Sequence, residues 1–167
     1  MRITYQHRFD APLSRVVTML QDEDCARARA KAAGAADVDV IVDVLPDGAF
    51  TIAVRRTVQS ASIPSEFRSL VGSELSVRYT EAWDAPSPGV EGREGTFAME
   101  IAGAPGHARG SLVLTPDGDA TAFGLAGDVQ APVPLVGPLV EKTVVAAIEA
   151  SLPRELEAAD AWLRSHP

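Results

Sequence analysis

LVGPLVEKTVVAAIEASLPRELEAADAWL, residues 135–163, is the stretch that decides the fold. Val140, Val144, Ile148, Leu152 and Leu156 recur every four residues, and Leu163 follows further along. Apolar side chains at that interval share one stripe of an α-helix. The spacing predicts a long amphipathic helix from Leu135 onward. Pro153 lies inside it and has no N–H to give the carbonyl of Glu149, so a kink or bend is expected there. A single apolar stripe of this length needs a surface to bury itself on.

Working backwards, the chain supplies strands. Arg2–Phe9 alternates, with Ile3, Tyr5, His7 and Phe9 on one face. Asp10 and Pro12 predict a helix cap and first turn, and Val16, Val17, Met19 and Leu20 supply the stripe of the helix that follows. Asp22 to Ala33 reads as a second short helix, ended by Gly34. In 37–45, Val38, Val40, Val42 and Val44 oppose Asp37, Asp39 and Asp43. Pro46-Asp47-Gly48 is a turn, because Pro presets φ and Gly accepts a positive one. Ala49–Val58 returns with Phe50, Ile52, Val54, Arg56 and Val58 on one face. SASIPSEFRSLVG (60–72) interrupts the sheet and is expected to hold one short helical turn. SELSVRYTEAW (73–83) puts Leu75, Val77, Tyr79, Glu81 and Trp83 on one face. After a polar loop come Gly95–Ile101, with Phe97, Met99 and Ile101 in phase, then Ala108–Thr115 and Ala120–Val129. The chain has no Asn, so Asp-Gly and Pro-Gly make its turns.

The order is strand, two short helices, six strands, long helix. An antiparallel sheet has one face to bury and the helix has one stripe, and rolling the sheet around the helix satisfies both. The fold class predicted is α+β, a helix-grip fold in one domain over 1–167: a seven-stranded curved antiparallel sheet around a long C-terminal helix, order β-α-α-β6-α. The first strand is expected to pair with the last, the two short helices to close one end of the groove, and a cavity to remain between helix and sheet.

Several stretches carry a resemblance. They are Ile63-Pro64, Val71-Gly72-Ser73-Glu74-Leu75, Glu81-Ala82-Trp83, Gly95-Thr96-Phe97, Gly103-Ala104-Pro105, and Val133-Pro134-Leu135-Val136-Gly137 running to Glu141-Lys142. In that order, over nearly the whole chain, they resemble an uncharacterised bacterial family, domain of unknown function 2505. Order and length resemble the START-like superfamily, which includes lipid-transfer domains, pollen-allergen-type proteins and polyketide aromatase/cyclases. Pro138 departs from the glycine expected there. The resemblance implies a helix-grip fold and brings no catalytic residues with it.

Composition narrows the partners. The formal net charge is −8, and the bases are scattered, which argues against a nucleic-acid partner. Arg27, Arg29 and Lys31 form the one small basic group and read as a solvated helix face. MRITYQHRF lacks the apolar core of a signal peptide, and no apolar run approaches the length of a membrane span, so no membrane insertion is expected. With a single cysteine, Cys25, no internal disulfide can form, and a cytoplasmic setting is expected. Cys25 itself reads as a small half-buried residue.

No familiar catalytic signature is present. GVEGREG (89–95) has the wrong spacing for a dinucleotide loop. There is no P-loop and no G-x-S-x-G. His7, His107 and His166 lack metal-ligand spacing, so no metal and no cofactor are expected. What stands out is charge on apolar faces: Arg56 on one strand, Glu81 on the next. Folding the 60–72 corner back places them nearly opposite, so an Arg56–Glu81 cross-strand pair is predicted at the cavity or its rim. Residues expected to line the cavity are Tyr5, His7, Arg56, Tyr79, Glu81, Trp83, Phe97, Met99, Leu135 and Leu139, the last two near the groove mouth.

Three functions fit. The first is a binding module for a hydrophobic or amphipathic small molecule, lipid or polyketide-like. The second is a cyclase- or hydratase-like enzyme drawing acid–base groups from Glu81, Arg56, Tyr79 or His7; an ion-paired Glu81 would make a poor acid. The third is an interaction module without a ligand. Small Ala and Val side chains on the inner faces favour an open cavity, and the binding module ranks first.

Overall fold

The computed structural model describes residues 1–59, 65 and 74–167. In chain order the described elements are β1 (Arg2–Phe9), α1 (Leu13–Leu20), α2 (Glu23–Ala32), β2 (Asp37–Val44), β3 (Phe50–Gln59), β4 (Glu74–Trp83), β5 (Arg93–Ile101), β6 (His107–Asp117), β7 (Ala120–Gln130) and α3 (Gly137–Ser165). The strands form one antiparallel sheet in the order β1-β7-β6-β5-β4-β3-β2, so the first strand pairs with the last as expected. The helical turn expected within 60–72 lies outside the described residues.

Alternation sets the two faces of the sheet. Phe50, Ile52 and Val54 of β3, Leu75 and Val77 of β4, Phe97 and Met99 of β5, and Leu112 and Leu114 of β6 are all buried on the inner face. Gly48 turns β2 into β3 at a φ of +88°, a conformation open to glycine. Gly127 serves a different need. A Cβ there would lie 2.7 Å from the Phe97 ring and 2.5 Å from the Arg109 carbonyl oxygen. The missing side chain lets the Phe97 ring lie against the backbone of β7.

α3 runs uninterrupted through Pro153. Its fully buried apolar residues include Val145, Leu152, Leu156, Ala159 and Leu163, while Val140, Val144 and Ile148 are half-buried. Geometry explains the shift from the expected stripe. Four residues turn a helix about 40° past a full revolution, so a strict four-residue row winds off the buried face and Val145 takes the inward place. Arg15 of α1 donates to the carbonyls of Leu163 (2.7 Å) and His166 (2.6 Å), fixing the end of α3. No described helix is long and apolar enough to cross a membrane.

The short helices correct three expectations. α1 starts without an Asp10 cap: Pro12 is its N-cap, and Asp10 instead faces Arg8 at 3.3 Å. Asp10 stands two positions too early to reach the first free N–H groups. α2 is capped by Asp22, which accepts from the Cys25 N–H at 2.8 Å, but its basic group is no solvated face. Arg29 is buried, Arg27 donates to the Val38 carbonyl at 2.8 Å, and Lys31 is exposed. Cys25 is fully buried rather than half-buried. Cys25, Ala26, Arg29 and Ala30 share the one face that α2 turns inward.

Candidate functional site

The strand alternation that buries Val77 and Trp83 also carries Glu81 inward, where its side chain is only 3% exposed. Its carboxylate accepts three hydrogen bonds. Oε1 takes Arg29 Nη2 at 3.0 Å and the Tyr79 hydroxyl at 3.1 Å; Oε2 takes Trp83 Nε1 at 2.9 Å. A buried carboxylate is tolerable when paired and hydrogen-bonded in this way. Trp83 is itself held by stacking on Phe50, ring centroids 6.1 Å apart.

The cation facing Glu81 is therefore Arg29 of α2, and not Arg56. The β3–β4 register pairs Glu81 with Ile52 and Arg56 with Val77. Arg56 sits four residues along β3 from the position opposite Glu81, about 13 Å of strand. The pairing is centred two residues earlier in the chain than symmetric folding of the corner would place it. Arg56 instead reaches across to α3, where Nη1 donates to Glu155 Oε1 at 2.9 Å. These side chains are nearly as enclosed as the first pair, 14% and 12% exposed.

One buried and one part-buried ion pair from α2, α3, β3 and β4 thus lie around one small void of about 10 Å³, which Arg29, Arg56, Tyr79, Glu81 and Glu155 line. Small residues on α2, Ala26 and Ala30, form part of its wall. Two buried N–H groups here, Arg29 Nε and Arg56 Nε, have no acceptor among the described residues. The electrostatics keep the neighbours in fixed states. Burial pulls the Arg29 pKa down, but Glu81 and Glu155 more than offset this and it stays above the ordinary arginine value. Burial, reinforced by the Glu81 charge, lifts the Tyr79 hydroxyl well above its usual range. Burial also pushes the Cys25 thiol up to about 11.

A larger cleft of about 430 Å³ opens at the β5–β6 turn, with Met99, Ile101, Ala108, His107, Arg109 and Pro132 among its lining. It contains none of the ionic cluster, yet strand pairing makes the two neighbours. Tyr79 of the cluster pairs with Met99 of the cleft, and Val77 pairs with Arg56 on one side and Ile101 on the other.

The remaining expected lining residues divide. Tyr5 and His7 are half-buried, as the alternation of β1 predicts. His7 Nε2 lies 3.1 Å from Asp160 of α3, and its ring meets Phe9 of β1 edge-on, so these contacts lie outside the ionic cluster. Phe97 is consumed by packing against Gly127. Leu135 and Leu139 line neither space: Leu135 is fully exposed and Leu139 about half. Leu135 adopts a φ of +70°, which turns the chain into α3. The residues missed were Arg29 and Glu155. Arg29 could have been found, since it is in helical phase with Cys25 and Ala30; Glu155 gave no such signal among the many acids of α3.

A seven-stranded antiparallel sheet against one long helix is the START-like helix-grip fold. The chain belongs to the family described as Protein of unknown function (DUF2505), which it matches over residues 4–163. Among solved structures it is similar to TTHA0849 from Thermus thermophilus, with 16% identity, a TM-score of 0.65, and 99% and 98% of the two chains covered. It is also similar to the Zhui aromatase/cyclase from Streptomyces sp. R1128, with 13% identity, a TM-score of 0.63, and 98% and 93% covered. A START superfamily protein from Mycobacterium smegmatis has 14% identity, a TM-score of 0.56, and 99% of both chains covered. These likenesses establish the shared fold. No curated protein matches the sequence.

Proposed function

We propose that this protein binds a small hydrophobic or amphipathic molecule along the sheet, from the β5–β6 turn to the ionic cluster; the large space is not the one expected between sheet and helix, since no α3 residue lines it. The apolar body lies in the cleft at the β5–β6 turn, and the polar end reaches the ionic cluster. The observation that carries this reading is the adjacency of the two spaces. A cleft of about 430 Å³ has the volume of a small-molecule site. One strand away, across the Tyr79–Met99 backbone pair, are polar groups suited to orient a ligand.

The same geometry weakens the acid–base reading. Both oxygens of Glu81 are committed to structural donors. Tyr79 holds its proton firmly, and His7 faces Asp160. The binding function is tested by native mass spectrometry of freshly purified protein against its denatured mass, followed by saturable uptake of apolar compounds by delipidated protein. An excess mass lost on denaturation, or saturable uptake, is the expected result. Neither appearing would refute the function.

A further inference from the structure

We infer that the ionic cluster selects a ligand that is neutral and carries an oxygen acceptor, such as a ketone, over both an anionic carboxylate and a plain hydrocarbon. This rests on the binding function proposed above and names the class of molecule that the site takes.

Three observations converge. First, the groups without partners are donors. Arg29 Nε and Arg56 Nε each hold a buried N–H with no acceptor among the described residues, and both side chains line the same void. The Arg29 side chain is only 8% exposed. A buried donor left unpaired is costly, so an oxygen that reaches either N–H is favoured. A hydrocarbon offers none.

Second, the charges already balance. Arg29 and Glu81 form one pair, Arg56 and Glu155 the other. Of the other titratable groups nearby, Tyr79 and Cys25 add no charge, because burial keeps both protonated. A ligand carboxylate would bring an unbalanced negative charge into a region of low dielectric beside two existing carboxylates. A carbonyl oxygen brings acceptance without net charge.

Third, the void is small. About 10 Å³ is roughly the room of one water-sized probe sphere. That room suits a single oxygen better than the two of a carboxylate. The cleft that takes the carbon skeleton lies one strand further on, past the Tyr79–Met99 and Val77–Ile101 pairs.

The test uses three compounds of similar shape on the full, delipidated chain: 2-acetylnaphthalene, 2-ethylnaphthalene and ionised 2-naphthoate, each titrated by calorimetry. The ketone is expected to bind about tenfold tighter than either of the others, the worth of one hydrogen bond to a charged group. Arg56→Lys keeps a cation against Glu155 and deletes the Nε–H. It removes one of the two free donors and should narrow the ketone's advantage over the hydrocarbon measured in the same variant. Equal affinity for ketone and hydrocarbon overturns the inference, the void then holding only water, while the binding function stands. Tighter binding of the carboxylate overturns it as well. Saturable binding by none of the three overturns the inference, while the native mass decides the binding function separately.

Discussion

Replacing Arg29 with methionine tests the buried cluster most directly. Methionine matches the length of the arginine stem and fits an α-helix, so backbone strain is not at issue. Among the described residues, Arg29 is the one cation hydrogen-bonded to Glu81, and its removal leaves a carboxylate held by two neutral donors, Tyr79 and Trp83. Arg56 cannot take over, because it is engaged with Glu155. Removing one partner of a buried ion pair costs about 3–5 kcal/mol. Against a total stability of about 5–15 kcal/mol, that is a large share. With a urea m-value of roughly 2 kcal/mol per molar, the midpoint should fall by about 2 M.

A double-mutant cycle separates pairing from packing. Glu81→Gln in the Arg29→Met background removes the stranded charge while keeping an oxygen for Trp83. The double variant should therefore recover about 2 kcal/mol or more relative to Arg29→Met alone. A loss below about 1 kcal/mol for Arg29→Met, at unchanged m-value, would refute the reasoning: the pair would be solvated and the cluster no buried network. An additive cycle would place the loss in packing instead.

Other outcomes follow from the same geometry. Arg56→Ala strands Glu155 rather than Glu81, and since that pair is the more exposed of the two, urea midpoints should rank it clearly milder than Arg29→Met. Because burial raises the Cys25 thiol to about 11, the folded state binds its proton more tightly than the unfolded chain. That contribution is complete below about pH 8.5 and is lost as pH rises towards 11, and denaturation midpoints in this alkaline window should fall less in Cys25→Ala. Tyr79 should likewise keep its proton until alkaline unfolding, so that phenolate absorbance rises with loss of fold and this component vanishes in Tyr79→Phe. Gly127→Ala would force a Cβ onto the Phe97 ring and the Arg109 carbonyl, and should cost about 1–3 kcal/mol by urea denaturation. Leu135→Gly should stabilise by about 1 kcal/mol, since a fully exposed leucine at φ +70° contributes strain and no packing.

The elements were legible because their periods are clean. Two-residue alternation placed Glu81 and Arg56 on the inner face, where both lie. The strands at hairpin spacing and the final helix left few topologies open. What could not be read was register across residues 60–73. β3 ends at Gln59 and β4 starts at Glu74, a separation far longer than the two-residue loop whose turn type fixes a hairpin's pairing. A shift by an even number of residues keeps every side chain on its face, so the apolar pattern is the same whether Glu81 meets Ile52 or a residue nearer Arg56. The pattern therefore chose the face and was silent about the partner. The cation came from elsewhere, a helix whose high content of arginine, aspartate and glutamate made it read as solvated although Arg29 follows Cys25 by four residues.

The cost of the cluster is what makes it informative. Buried ion pairs can often be replaced by well-packed apolar residues of similar volume with no loss of stability, and sometimes with a gain. The inner face beside Arg29 and Arg56 already holds Ile52 and Val54, and nothing in the packing there demands two guanidinium groups. If the cluster served stability alone, an Arg29→Met/Arg56→Met/Glu81→Gln/Glu155→Gln protein should lose stability, and its urea midpoint should fall along with any binding. If it serves recognition, that protein should fold with its urea midpoint kept or raised, while its preference for a ketone over the matching hydrocarbon disappears. The quadruple variant separates the two, because it removes both charges of each pair at once and strands neither.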